Sequence, residues 1–154
     1  VESKRERQVL AREYGADVVL DPTMSDPVAE IMRLTGDGVD SSIEALGSEA
    51  TFEACIRATR AGGTISNVGY HGHGDLVVIP RLAWGVGMGD KTIRTALCPG
   101  GRERMKRLLR LLEMKRVDPT RLTTHQFPFE QIARAFEMMK SKADGIIKRI
   151  ITFD

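Results

Sequence analysis

The sequence has few cysteines, few aromatic residues and no long apolar run. Its two cysteines, Cys55 and Cys98, cannot build a disulfide framework and do not form a C-x-x-C pair. A reducing, cytoplasmic setting is therefore the default expectation. No apolar stretch approaches the roughly 20 residues that a bilayer-spanning helix needs, which excludes such a helix.

A surplus of charge of one sign is also lacking. Lysine and arginine number 23 against 21 aspartate and glutamate residues, a formal net charge of +2. A dedicated polyanion-binding protein needs a clear basic surplus to neutralise phosphates, so this class is excluded. The 154 residues are 42% hydrophobic and 29% charged, which is typical of a soluble chain that folds as one domain or as parts of two.

Hydrophobic periodicity predicts five helices. Apolar residues recur three and four positions apart in each of them. Ser25-Asp26-Pro27 supplies a start for the second helix and Gly36 supplies its stop. The predicted helices are Glu2–Tyr14, 27–36, Ser48–Thr59, Arg102–Arg116 and 129–139.

Short β-like runs alternate with these helices, which predicts an α/β fold with a parallel sheet. Gly62-Gly63 is interpreted as the end of a helix before a buried strand. Cys98-Pro99-Gly100-Gly101 is a strong breaker of regular structure, and we place a domain boundary or hinge there. The predicted strands are Asp17–Leu20, Val39–Leu46, Thr64–Tyr70, Thr92–Leu97, Leu122–Phe127 and Gly145–Phe153.

Some side chains suggest chemistry but have a simpler interpretation. His71, His73 and Asp75 alternate as metal ligands could, but the intervening glycines and the lack of an evident further ligand favour a mobile surface loop. His125 is expected to be a hydrogen-bonded structural histidine and Cys55 a core residue. No metal site is predicted within the chain.

The helix Arg102–Arg116 carries seven basic and two acidic residues. A helix that binds nucleic acid or an anionic membrane would have this composition. No aromatic residues are interleaved for base stacking. The favoured interpretation is therefore a solvated helix whose apolar face, including Met105 and Leu108, packs onto a core, and neither nucleic acid nor membrane is expected as a partner.

The residues at the start of the chain suggest a nucleotide site. In a dinucleotide-binding unit, an acidic residue about 20 positions after a Gly-rich turn accepts hydrogen bonds from the adenosine ribose. Glu2, followed by a helix, suits that role if a strand and the Gly-rich turn precede Val1. A charged helix start is the alternative interpretation.

Longer blocks of sequence resemble a known family, the zinc-dependent medium-chain alcohol dehydrogenases, and especially the tetrameric bacterial secondary-alcohol dehydrogenases. The resemblance extends over the whole chain at unbroken spacing, and it covers the carboxyl-terminal portion of the family. The blocks that carry it are Tyr14-Gly15-Ala16, Gly38-Val39-Asp40, Gly62-Gly63-Thr64-Ile65-Ser66-Asn67-Val68, Pro80-Arg81-Leu82-Ala83-Trp84-Gly85-Val86-Gly87-Met88, Lys91-Thr92-Ile93, Leu97-Cys98-Pro99-Gly100-Gly101-Arg102, Lys115-Arg116-Val117-Asp118-Pro119 and Phe136-Glu137-Met138-Met139-Lys140.

The resemblance implies a Rossmann-type doubly wound parallel sheet that lacks its first strand, over residues 1–97. Residues 98–154 would be the return segment of the catalytic domain. The intact enzyme would interconvert secondary alcohols and ketones with a nicotinamide cofactor, and zinc would polarise the substrate oxygen. The zinc ligands and the phosphate-binding turn would lie outside this chain, which would contain no catalytic residue. Without its first strand, the chain is not expected to form a stable cofactor-binding monomer.

The resemblance also assigns roles to particular residues. The adenosine-ribose position corresponds to Glu2, with Ser3 and Lys4 beside it. The remaining cofactor positions correspond to Ala45, Leu46, Gly47, Val68, Gly69, Tyr70, Lys142 and Lys148. The substrate pocket corresponds to Tyr70, Leu97 and Cys98, and Met88 is the residue that a subunit contributes to its neighbour's pocket.

Two further expectations depend on these residues. Relatives that use NADP have Gly-Ser-Arg where this chain has Glu2-Ser3-Lys4, and a tyrosine where it has Pro22, so NAD is expected in preference to NADP. The alternative to an enzyme is a non-catalytic Rossmann-like regulatory module that binds a nucleotide. Such a module has no reason to carry the 80–102 block with Met88 and Cys98.

Overall fold

The computed structural model describes residues 1–97 and 100–153, which form two compact units. The first contains residues 1–3 and 18–97, and the second contains residues 4–17 and 100–153. The helices are α1 (Arg5–Glu13), α2 (Pro27–Thr35), α3 (Glu49–Ala58), α4 (Arg102–Glu113) and α5 (Ile132–Ser141). The strands are β1 (Val39–Glu44), β2 (Thr59–Asn67), β3 (Thr92–Thr95), β4 (Thr123–Pro128) and β5 (Lys148–Thr152).

The first unit is a parallel sheet in the sequential order β1-β2-β3, with α2 before β1 and α3 between β1 and β2. Each of these helices begins where a side chain caps it: Asp26 accepts a hydrogen bond from Val28 N–H, and Ser48 accepts one from Thr51 N–H. The apolar face of α3 packs on the sheet through a buried cluster of Phe52, Ile56 and Ile65. This cluster anchors the strand ends that carry the candidate site.

The second unit contains the parallel pair β4-β5, covered by α5. Its buried cluster is Phe127, Ala135 and Ile146. Helix α1 belongs to this unit, where Tyr14 Oη donates to the Asp118 carbonyl at 2.5 Å. Another contact is the ion pair of Arg121 with Glu13 at 2.7 Å.

The predicted α/β class with parallel strands is confirmed. All five predicted helices form, with ends that differ by a few residues from those expected. His125 is hydrogen-bonded to Thr124 at 2.9 Å and stacks on Phe127, as expected for a structural histidine. Cys55 packs against the core cluster, and burial raises the pKa of its thiol.

The predicted strand Asp17–Leu20 does not form. The Leu20 carbonyl accepts a hydrogen bond from Glu2 N–H at 3.0 Å, but no ladder extends from this contact in the described ranges. A strand requires a hydrogen-bonded partner along its length, and the apolar pattern of residues 17–20 does not show whether such a partner exists.

The interpretation of Gly62-Gly63 as a helix end is wrong. Helix α3 ends at Ala58 and β2 begins at the next residue, so both glycines lie inside the strand. They lie where β1 and β2 change register, after the pair Val39 and Thr59. A β-bulge requires close backbone approach, and glycine permits it.

The expected packing of the α4 apolar face is not seen. None of the helix residues is buried, and Met105 and Leu108 are 58% and 47% exposed. The core of the second unit is formed by α5 with the β4-β5 pair, so it leaves this face uncovered within residues 1–97 and 100–153.

The second compact unit includes residues 4–17 as well as the carboxyl-terminal segment. The division into domains 1–97 and 98–154 stays a prediction.

Candidate functional site

The two stretches assigned to the cofactor follow neighbouring parallel strands. Ala45–Gly47 comes directly after β1, which ends at Glu44, and Val68–Tyr70 comes directly after β2, which ends at Asn67. The carboxyl ends of parallel strands meet at one edge of a sheet, and ligands of such sheets bind there. We name these stretches the first loop (45–47) and the second loop (68–70).

The two loops touch through backbone atoms. The N–H groups of Val68 and Gly69 donate to the Glu44 carbonyl at 2.8 and 3.1 Å. A Cβ at Gly47 would overlap the backbone of Tyr70, and a Cβ at Gly69 would overlap the backbone of Gly47. Glycine is therefore required at both positions, because the backbones of the two loops approach too closely for a side chain to fit between them.

The carboxylate of Glu44 lies beneath both loops. Its side chain is fully buried, and Oε1 accepts hydrogen bonds from Leu46 N–H, Gly47 N–H and the Thr51 hydroxyl at 2.8, 2.8 and 2.7 Å. Oε2 has no hydrogen-bond partner within residues 1–97 and 100–153, and it lies 3.6 Å from His71 Nε2. One buried acid therefore contacts groups from both strand ends.

The pKa of Glu44 is lowered from its ordinary value. Burial by itself raises it, because burial disfavours the charged form. The hydrogen bonds from Thr51, Gly47 and Leu46, together with the nearby His71, outweigh burial. The carboxylate is thus held ionised at neutral pH.

His71 is held at the end of the second loop. Asn67 Nδ2 donates to the Gly69 carbonyl at 3.0 Å, which directs Asn67 Oδ1 toward His71 Nε2 at 2.9 Å. Because Oδ1 only accepts, Nε2 carries the proton. His71 therefore supports the loop, and the described ranges contain no group of three His, Cys, Asp or Glu side chains that could hold a metal ion.

An open depression of about 250 Å³ lies beside the second loop. It is lined by Asn67–Tyr70 and by 95–97, the residues at and after the end of β3. Four residues assigned from the sequence therefore share one surface: Val68, Gly69, Tyr70 and Leu97. Tyr70 and Leu97 are 87% and 92% exposed, so their side chains are available to a ligand.

Met88, which the resemblance assigns to a neighbouring subunit's pocket, lies elsewhere in the first unit. Met88 is 82% exposed and is not among the residues that line the depression. Its segment is anchored by Lys91, whose Nζ donates to the carbonyls of Ile56 and Ala83 at 2.8 and 2.7 Å. Cys98 lies outside the described residues.

A second cavity, also about 250 Å³, lies within the second unit. Among its lining residues are Lys4 and Lys142, and the latter adopts a left-handed backbone at the end of α5. Lys148, exposed at the start of β5, is not part of the lining. Glu2 and Ser3 belong to the first unit.

Sequence reasoning missed Glu44, Asn67 and Lys91. A carboxylate immediately before Ala45-Leu46-Gly47, with Thr51 seven positions later, was the available signal for Glu44. The burial of Glu44 could not be predicted from the sequence, because the same strand also contains Ser41 and Ser42.

The helices in the described ranges include no candidate for a membrane-spanning segment.

A parallel sheet with helices packed on it and close-packed glycines at its carboxyl edge is the architecture of an open α/β protein, in which ligands bind at that edge. The profile of the family described as zinc-binding dehydrogenase matches residues 1–114. The chain belongs to this family of zinc-dependent alcohol dehydrogenases and corresponds to its carboxyl-terminal portion.

Individual relatives agree with this assignment. An alcohol dehydrogenase of Cupriavidus necator is 46% identical over 96% of this chain and 40% of its own length. An NADP-dependent isopropanol dehydrogenase of Thermoanaerobacter brockii is 44% identical over 92% of this chain and 41% of its own length. The chain thus spans about 40% of the length of these relatives.

Solved structures support the fold. The zinc dependent alcohol dehydrogenase 2 from Streptococcus pneumonia superposes with a TM-score of 0.84 at 32% identity, over 99% of this chain and 43% of that one. The Rossmann-type assignment is confirmed by such neighbours.

Proposed function

We propose that this chain is part of an oxidoreductase that interconverts secondary alcohols and ketones with a nicotinamide cofactor. The observation that carries the proposal is the pair of loops 45–47 and 68–70 beside an open depression at the carboxyl edge of the sheet. Each loop contains a glycine whose position has no room for a Cβ. The names of the relatives, alcohol dehydrogenase and isopropanol dehydrogenase, supply the substrate class.

The residues of the chain would bind and orient rather than react. The loop backbones would hold the cofactor, which supplies and accepts hydride. Tyr70 and Leu97, with Cys98, would shape the substrate pocket, and Met88 would reach the pocket of a neighbouring subunit in a tetramer. From the family resemblance we propose that the zinc ligands lie outside this chain, and we assign no step to the ion. We also propose a cytoplasmic location.

The reaction class is tested on the full-length protein. Purified enzyme is expected to oxidise a reduced nicotinamide cofactor in the presence of acetone or 2-butanone, and to reduce the oxidised cofactor with 2-propanol. Absorbance at the reduced-nicotinamide band measures both directions. Cofactor binding without turnover of any ketone would contradict the proposal and favour a regulatory module.

We further propose that the enzyme prefers NAD to NADP, although the Thermoanaerobacter brockii relative is named NADP-dependent. The carboxylate of Glu2 would face the 2′-phosphate, and like charges a few ångströms apart repel. Lys4 and Arg5, which follow Glu2 closely in the sequence, would soften this repulsion.

The preference is measured as the ratio of kcat/KM for NAD to that for NADP. Glu2→Gly is expected to shift the ratio toward NADP by about tenfold, the effect of ~1.4 kcal/mol. Glu53→Gln removes a partly exposed carboxylate paired with Arg57 on α3 and should leave the ratio unchanged. A parent enzyme that already favours NADP, or an unmoved ratio in Glu2→Gly, rejects the role of Glu2.

A further inference from the structure

We infer that Glu44 is a positioning residue for the cofactor: its buried carboxylate sets the shape and spacing of the first and second loops. This inference rests on the proposed function, because it assigns the two loops to a nicotinamide cofactor. Glu44 lies at the last position of β1, directly between the sheet and the first loop.

The hydrogen bonds of Glu44 connect the two loops to one residue. Side-chain Oε1 accepts from both N–H groups of the first loop that follow Ala45, those of Leu46 and Gly47. The backbone carbonyl of the same residue accepts from Val68 and Gly69 in the second loop. Glu44 therefore contacts both chains where they leave the sheet, the first loop through its carboxylate and the second loop through its backbone carbonyl.

Besides the contacts of Glu44, the hydrogen bond from Asn67 Nδ2 to the Gly69 carbonyl holds the second loop. The side chains of Leu46, Val68 and Tyr70 are 70%, 54% and 87% exposed, so they add little packing energy to either loop. A loop that buries little apolar surface takes its conformation from hydrogen bonds to its backbone. For the first loop, the side-chain acceptor within the described residues is Glu44.

The second carboxylate oxygen fills the space between the loops. A Cβ at Gly69 would overlap Oε2, and this oxygen is buried without a hydrogen-bond partner among the described residues. Burying an unpaired acceptor costs free energy that an apolar side chain at this position would avoid. A residue with only a structural role at this position would have no compensation for this cost in free energy. A carboxylate that holds two backbones close together is compensated by the hydrogen bonds it accepts from the first loop.

The variants separate hydrogen bonding from charge and from stability. Glu44→Ala removes the acceptor of the first loop, whereas Glu44→Gln keeps a carbonyl oxygen able to accept from Leu46, Gly47 and Thr51. Asp40→Ala is the matched control, since Asp40 lies on the same strand but is 86% exposed and paired with Arg60. Thr51→Val removes one donor to Oε1 without emptying the site.

The experiment uses the full-length dehydrogenase. Dissociation constants for NADH and NADPH are measured by fluorescence titration, and kcat and KM for cofactor and ketone by steady-state kinetics, with thermal unfolding in parallel. Glu44→Ala is expected to raise the dissociation constant by about tenfold or more, because it leaves the N–H groups of Leu46 and Gly47 without their acceptor. The KM for the ketone should change less, and Glu44→Gln and Asp40→Ala should retain most of the binding.

The outcomes distinguish the two levels of the proposal. If the parent binds neither NADH nor NADPH, the proposed function fails and this inference with it. If the parent binds and Glu44→Ala binds equally tightly, only the inference fails, even where the melting temperature falls. Equal losses in Glu44→Ala and Glu44→Gln also overturn it, because charge and not loop geometry would then be responsible. Should Glu44→Ala fail to fold, Thr51→Val decides: a dissociation constant raised about threefold supports the inference, and an unchanged one overturns it.

Discussion

Replacing Gly47 with alanine is expected to abolish most of the cofactor affinity of the full-length enzyme. The new Cβ would overlap the backbone of Tyr70, so the first and second loops would have to separate. Overpacking of this kind costs up to about 3 kcal/mol, which corresponds to roughly a 100-fold weaker dissociation constant. Titration with NADH, or with NADPH if the parent prefers it, measures the change.

A matched glycine separates the overlap from backbone strain. Gly36 has a φ of +87°, close to the +84° of Gly47, but a Cβ there would meet no atom within 4 Å. Gly36→Ala should therefore lower the melting temperature through strain while leaving cofactor affinity near that of the parent. Equal affinity losses in Gly36→Ala and Gly47→Ala would show that strain alone is responsible, and would remove the loop contact from the site.

The polypeptide 1–154, expressed alone, is expected to show no cooperative unfolding transition and no cofactor binding. In the part of the chain that the structure describes, each unit has a buried apolar cluster of three residues, and the apolar face of α4 is uncovered. So little burial does not offset the loss of conformational entropy on folding. Urea denaturation followed by circular dichroism, with the full-length enzyme under the same conditions as control, tests the first point, and calorimetry with NAD tests the second.

Cooperative unfolding and cofactor binding by the isolated polypeptide would be the contrary result. A sigmoidal urea curve for the monomer with an m-value appropriate to its size, together with saturable heat on addition of NAD, would contradict this expectation. Light scattering identifies the monomer, because association of two copies would cover apolar surface that the single chain exposes.

Several elements of the fold could be predicted because their signals are local. The start of α2 at Asp26-Pro27 and the start of α3 at Ser48 depend on capping side chains within three residues. The strand predicted at 17–20 was wrong for the opposite reason, since a strand exists only when a distant partner pairs with it. The glycines at 62 and 63 were assigned to a helix end because glycine favours turns, bulges and helix ends alike.

The sequence by itself determined the alternation of helices and parallel strands, the family, and the two stretches at the carboxyl edge that we assign to the cofactor. Only the tertiary structure decided that these stretches touch, because the contact between Gly47 and Tyr70 joins the ends of two strands. It also decided that Glu44, an acidic residue in a strand of mixed polarity, is buried beneath both loops. The burial of Glu44 and the close approach of the two loop backbones depend on how the strands pack in the sheet. The type and spacing of neighbouring residues in the sequence do not determine them.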